Sequence, residues 1–226
     1  MSSGSRATVP VMKRLRALSV ATLVSAGAIA MTVAVTPTDA HASVSIAILF
    51  DELVERASAA SVVTPTEQHS VWEDGRIYTY SHVHVDSTLA GAVPQDAWIR
   101  TLGGVVGRVG QSVDGEAVLT VGRPSLLFVQ PVAAQPGTFE VTARAQGQFA
   151  LAGGTAASPL SAMRFVRAHG VGAVMPPGLD RIARIQKMRA GAVPLAAEVL
   201  HDRPVAEATR EIQAAWVRLH ATPNGR

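Results

Sequence analysis

The spacing of apolar positions changes character several times along this chain. Residues 18–35 are apolar, diluted only by Ser, Thr and Gly. Residues 51–57 read as a short helix that opens on Asp51 and Glu52, which suits the positive end of a helix dipole. From about residue 60 the pattern is that of strands. Residues 60–67 are apolar and β-branched, interrupted by Pro65. Residues 76–87 alternate most cleanly, with Ile77, Thr79, Ser81, Val83 and Val85 on one face and Tyr78, Tyr80, His82, His84 and Asp86 on the other, because successive strand side chains point to opposite faces. Asp74-Gly75 just before them is a strong hairpin-turn dipeptide. Further strands are predicted at 96–102, 116–121, 125–130, 138–144 and 148–151, with Gly or Pro turns between many of them. Short strands at this spacing predict an all-β barrel or sandwich.

After Gly153-Gly154 the period lengthens to that of helices. Ser158-Pro159 opens a predicted helix to about His169, and Pro176-Pro177 introduces a second with Leu179, Ile182, Ile185 or Gln186, and Met188 in phase. In the last helix Asp202 is the expected cap and Pro204 lies in the first turn. Val205, Ala208, Ile212, Ala215 or Trp216, and Leu219 line its apolar face, while Glu207, Arg210, Glu211 and Arg218 face solvent,. Trp98 and Trp216 are expected to pack in the core or against a helix.

The first apolar run has a different meaning. Lys13, Arg14 and Arg16 precede it, and Ala40-His41-Ala42 follows it. A basic start, an apolar stretch and a small-residue A-x-A site make a secretory signal peptide. Cleavage is expected between Ala42 and Ser43, and Met12 is a second plausible start. A retained membrane anchor competes with this reading, since a run of about 18 residues is at the lower limit for a spanning helix. Ser19, Thr22, Ser25, Gly27 and Thr32 weaken it as an anchor. Arg14-Leu15-Arg16 is not a twin-arginine pair, so the general secretion route is favoured.

Composition then narrows the function. The 226 residues include no cysteine, which rules out disulfide staples, a lipidated cysteine, thiolate metal sites and a Cys nucleophile. The formal net charge is +3, with 20 basic and 17 acidic residues. Removing Arg6, Lys13, Arg14, Arg16 and Asp39 with the signal leaves equal numbers of each, so phosphate-driven nucleic-acid binding loses its support. The balance is uneven along the chain: residues 43–157 are acidic on balance and residues 158–226 basic. Opposite signs suggest docking within the chain or a basic tail offered to an anionic partner, against arginine simply solvating helix surfaces.

One helix followed by about five strands is the layout of the small OB-type barrel. The stretch Asp51-Glu52-Leu53-Val54, the turn from Ser70-Val71-Trp72 to Arg76-Ile77-Tyr78-Thr79-Tyr80, Arg100-Thr101-Leu102-Gly103-Gly104, Leu126-Leu127-Phe128 and Ala145-Gln146-Gly147-Gln148-Phe149 resemble a group of uncharacterised exported bacterial proteins. More distantly they are similar to the OB-fold domain of tissue inhibitors of metalloproteinases and netrins. The resemblance covers about residues 46–152. It implies the fold but not the inhibitory residues, because those inhibitors present a disulfide-pinned N-terminal cysteine to the target zinc, and here Ser43 would take that place unpinned.

Several groups could carry chemistry. His82 and His84 stand on one strand face about 7 Å apart, and with Asp86 they are weak candidates for a metal; an exposed face that tolerates histidine is the simpler reading. The glycine block from Gly103 to Gly110, with Arg108 its only charge, lacks the order of a phosphate-binding loop and suits tight turning at a barrel corner. Trp72, Tyr78 and Tyr80 could form an aromatic platform of the kind on which OB barrels bind oligosaccharides or single strands, or could be ordinary half-buried strand aromatics. No G-x-S-x-G, S-x-x-K or H-E-x-x-H motif occurs,.

The expectation is therefore an α+β protein. A signal peptide at 1–42 precedes an OB-like, mostly antiparallel β-barrel at 43–154 and a helical C-terminal segment at 155–226. Its expected role is a non-catalytic binding or interaction module in the periplasm or outside the cell, with no cofactor and no metal. The partner is an exported protein or envelope component and not nucleic acid, and membrane contact comes only through an uncleaved signal. The binding candidates are Trp72, Tyr78, Tyr80, His82, His84 and Arg108. A protease-inhibitor-like or protease-accessory role, and an enzyme of unrecognised type using His82 and His84, are the alternatives. N-terminal sequencing of the exported protein should begin at Ser43; a chain still starting at Met1 or Met12 would restore the anchor.

Overall fold

The computed structural model describes residues 47–153, 159–168 and 194–221; the expected signal peptide with its Ala42/Ser43 cleavage site, and the predicted helix after Pro176-Pro177, lie outside them. Ten strands and three α-helices are described: α1 (Phe50–Arg56), β1 (Ala59–Glu73), β2 (Arg76–Gly91), β3 (Asp96–Leu102), β4 (Gly104–Val106), β5 (Val109–Gln111), β6 (Ser125–Pro131), β7 (Thr138–Val141), β8 (Gln148–Ala152), β9 (Arg164–Arg167), α2 (Ala196–Leu200), β10 (Arg203–Pro204) and α3 (Val205–His220). The protein is thus mostly sheet with a few helices. No described helix is long and apolar enough to cross a membrane.

β1 and β2 form a long antiparallel hairpin whose closing pair is Glu73 with Arg76. Asp74 (φ 50°) and Gly75 (φ 75°) are both left-handed. That is the two-residue turn whose twist matches the flanking strands. β2 pairs with β3, β3 runs parallel to β7, β7 pairs with β6, and β6 returns to β1. The hydrogen-bonded circuit β1-β2-β3-β7-β6 therefore closes on itself. Strands β8, β9 and β10 extend from β6 in the same sheet. Pro65 is accommodated because its carbonyl accepts the Gly122 N–H on the side away from β2, so its missing N–H also points away from that ladder. A register shift follows at once, between Pro65 and Glu67.

Two hydrophobic clusters lie on opposite faces of this circuit. Inside it, Val63, Val83, Val85, Ile99, Leu127, Val129, Phe139 and Val141 pack with Ala117 and Leu119. On the other side, Ala60, Val62, Leu126, Phe128, Phe149 and Phe165 meet Leu53 and Val54 of α1, Leu200 of α2, and Ala208, Ile212 and Ala215 of α3. The continuous apolar runs at 59–63 and 126–129 follow from this, since both faces of those strand segments are covered and nothing selects for alternation. Strands with one wet face, such as β2 and β3, alternate as expected.

The last helix has the expected apolar face, and Trp216 packs against the same cluster. Its cap differs. Pro204 is the N-cap, and Asp202 is left-handed at φ 58° with its carbonyl accepting from Arg164. The Arg218 guanidinium makes two hydrogen bonds to Asp51, at 2.7 and 2.9 Å, across 167 residues of sequence. This holds α3 to α1, and it keeps the Asp51 carboxyl below its usual pKa against the opposing effect of burial,.

Three predicted elements are corrected. The expected strand at 138–144 ends at Val141, because Ala143 and Arg144 turn left-handed into the 3-10 turn Arg144–Gly147. Within the described residues 159–168, the expected helix at 158–169 is replaced by a 3-10 turn (Leu160–Ala162) followed by strand β9. β9 pairs with β8 and inserts Phe165 into the core, and this outweighs the weak local helical pattern. The expected strand at 116–121 keeps its alternation, with Ala117 and Leu119 buried and Val118 exposed, yet joins no ladder. Its Val118 N–H and carbonyl are bonded by the Gln148 side-chain amide at 2.9 and 2.7 Å, and the Leu119 carbonyl by Gln68 at 2.8 Å. Side chains replace the missing neighbouring strand, satisfying the backbone as any buried segment requires.

Phe128 is fully buried beside Phe149 with ring centroids 6.5 Å apart. Phe128→Ala should therefore lower unfolding free energy by about 3–5 kcal/mol, measured by urea titration; a loss under about 1 kcal/mol would contradict the packing.

Candidate functional site

Two adjoining surfaces concentrate polar and aromatic side chains. The first is the outer face of β1, β2 and β3. The register sets Tyr80 opposite His69 and Trp98 opposite His82. The His69 ring stacks on Tyr80 at 5.6 Å, and Trp98 meets His69 edge-on at 5.2 Å and tilts against His82 at 4.9 Å. His82 is fixed further by Thr66, whose hydroxyl lies 3.0 Å from Nδ1 and donates to the His82 carbonyl at 3.2 Å. Thr66 occupies the register shift in β1, which re-aims its side chain,. Tyr80 Oη donates to Glu73 at 2.8 Å, and Gln135 donates to the other Glu73 oxygen at 2.9 Å. Tyr80 and His82 are thus held by hydrogen bonds, and His69 and Trp98 by their contacts with those two rings.

The second surface is a cleft of about 700 Å³ between the start of α1, the ends of β2 and β3, β7 and the 3-10 turn Arg144–Gly147. Four arginines line it (Arg56, Arg76, Arg100 and Arg144) together with Glu52, Glu116 and Glu140. Arg100 sits over the Tyr78 ring at 4.7 Å, with Glu73 at 3.8 Å and Glu140 at 3.7 Å. Burial works against its charge, but Tyr80, Glu73 and Tyr78 more than restore it, so its pKa lies above the ordinary value. Arg56 is matched by Glu52 one helical turn away, at 3.3 Å. Glu116 is nearly buried, its side chain 10% exposed, and faces Arg144 Nε at 3.7 Å. Burial raises its pKa, with Glu140 adding to this. The Ala117 and Leu102 backbone and Arg144 offset it only partly,.

The backbone that presents Arg144 is unusual. Ala143 and Arg144 are consecutive left-handed residues, φ 57° and 55°, and neither is glycine. Such conformations persist only where the surroundings impose them. Ile48 N–H donates to Gln146 at 2.8 Å and Ala145 N–H to the Gly115 carbonyl at 3.1 Å. Gly147 is required, because a Cβ there would collide with the Thr142 carbonyl. Strain at the lip of the cleft is thus held in place from three directions.

The predicted site residues separate. Tyr78, Tyr80, His82 and His84 share the outer face, but only Tyr80 and His82 join the ring cluster. Trp72 pairs with Ile77 and so belongs to the opposite face, where it is 53% exposed; it forms no platform with Tyr78 and Tyr80. Trp98, expected in the core, lies instead on the outer face because Ala97 and Ile99 take the inward positions. His84 lies 3.6 Å from Asp96 and His82 turns to Thr66 and Trp98; among the described residues no group of three potential ligands could hold a metal. Arg108 is exposed at the tip of the β4–β5 hairpin and does not line the cleft. The glycine block is structural: Gly104 (φ 136°) leaves no space for a Cβ against the Thr79 and Ser70 hydroxyls. His69 and the Arg76, Arg144 and Glu116 group were missed. Their only sequence signal is His69 at the register position facing Tyr80.

No protein-family model matches the chain, and no curated protein does.

The raised pKa of Glu116 has a signed consequence. Its folded state binds a proton more tightly than the unfolded chain, so stability falls as pH rises from the ordinary carboxylate range through its folded pKa. Glu116→Gln should accordingly be more stable than the parent at neutral pH, with the gap closing as pH falls to about 4. Thermal unfolding across that range checks it; a variant less stable at pH 7 would refute the cause assigned to the shift.

Proposed function

We propose that this protein is an exported, non-catalytic binding module built on an OB-like barrel, and that it engages an exported protein or envelope component through the outer face of β1, β2 and β3. The observation that carries this reading is the ring cluster of His69, Tyr80, Trp98 and His82. His69 is exposed and the other three rings are half-buried, and all are fixed before any partner arrives, Tyr80 and His82 by hydrogen bonds and His69 and Trp98 by their contacts with these rings. Rigid aromatic anchors lose little entropy on binding and dominate interface energetics. The closed circuit β1-β2-β3-β7-β6, with its one parallel pairing between β3 and β7, supports the barrel assignment. The basic start, apolar run and Ala40-His41-Ala42 support export,. A neutral mature chain argues for a partner recognised by rings and hydrogen bonds rather than by phosphate charge.

Immobilised residues 43–226 should capture a defined component from envelope extracts. Trp98→Ala should weaken that capture at least about 30-fold, the loss of a hot-spot side chain, while leaving thermal stability nearly unchanged, and Arg108→Ala should have no effect. Capture that survives Trp98→Ala together with Tyr80→Ala, or none above background, would overturn the proposal.

A further inference from the structure

The Arg-lined cleft is separate in its chemistry from the ring cluster, and its charges do not cancel. Glu52 matches Arg56, and Glu73 and Glu140 flank Arg100. Arg144 approaches Glu116 no closer than 3.7 Å, through Nε, and its guanidinium makes no hydrogen bond with a described residue. The side chain of Arg76, exposed at the end of the β1–β2 hairpin, makes no ion pair or hydrogen bond with a described residue. The Tyr78 hydroxyl likewise has none, although its ring is fixed under Arg100. Three unused donor groups therefore line one cavity of about 700 Å³, within the range of about 300–1,000 Å³ typical of small-molecule sites.

We propose that this cleft binds a small anionic molecule through a carboxylate or phosphate group, held by the Arg144 and Arg76 guanidinium forks with the Tyr78 hydroxyl as a further donor. Guanidinium presents paired N–H groups in a plane that matches both oxyanions. The strained Ala143-Arg144 backbone gives the arrangement its specificity. It aims one fork into the cleft and is fixed by the Gln146 and Ala145 hydrogen bonds, so little ordering remains to be done on binding. The nearly buried Glu116 competes for the same guanidinium. Its carboxylate is the group an incoming anion would displace from Arg144.

Calorimetric titration with citrate and with inorganic phosphate, at low and moderate salt, tests this on residues 43–226. Saturable one-to-one binding of either probe is expected; citrate alone identifies a carboxylate site, phosphate alone a phosphoryl site. Arg144→Ala and Arg76→Ala should each weaken binding about tenfold or more, Glu116→Gln should tighten it, and Arg108→Ala should leave it unchanged. The Glu116→Gln increase distinguishes a direct role for Arg144 from a merely structural one, because that substitution frees the guanidinium without removing it. Absence of saturable binding to both probes would overturn the proposal. So would equal weakening by Arg108→Ala, which would mark the attraction as general surface charge. Because Trp98 lies outside this cleft, loss of anion binding and loss of partner capture can be told apart by Trp98→Ala, which should affect only the latter.

Discussion

Residues 59–63 bond to β2 on one side and to β6 on the other, and the rest of the architecture depends on that double pairing. Without it β1 would be the edge strand of an open sheet β1-β2-β3-β7-β6, with the backbone groups of residues 59–63 unpaired on one side,. With it the strand circuit closes, and its interior becomes a space that Val83, Ile99, Leu127 and Phe139 can fill. The same five residues turn their other face to α1, α2 and α3. One short segment thereby takes part in both hydrophobic clusters, and the zero-exposure positions Ala59, Ala60 and Val62 leave no room for larger side chains,.

Closure also positions both candidate surfaces. β3 lies next to β7 only because the circuit returns, and that contact brings Glu140 beside Arg100, while the β6–β7 pairing sets Gln130 to donate to Glu140 at 2.9 Å. The Arg218–Asp51 pair holds α3 against α1, and α1 supplies one wall of the cleft through Glu52 and Arg56. The acidic first half and basic last segment of the sequence thus meet within one chain through this pair.

Much of this was legible locally. The Asp74-Gly75 turn, the alternation in β2, the bounds of β3 and the apolar face of α3 follow from short-range chemistry, and each is present as read. What was not legible depends on pairing over long distances. Residues 116–121 carry a strand pattern, but their backbone is bonded by Gln148 and Gln68 side chains, which no periodicity reveals. Arg164–Arg167 is strand because β8 offers an edge and the core takes Phe165. Trp98 meets His69 across the intervening β2, so their contact needs the register of three strands. The left-handed Ala143-Arg144 pair is hidden for another reason: nothing in two such residue types announces a conformation that glycine usually supplies.

The central claim is that the strands close into one circuit. Cross-strand nuclear Overhauser effects test it most directly. The account predicts Hα and amide contacts between Ala60 and Phe128 across β1 and β6, together with the parallel-strand contacts between Ile99 and Phe139 across β3 and β7. Observation of the first set without the second, or of neither, would mean an open sheet and would contradict the placement of both candidate surfaces.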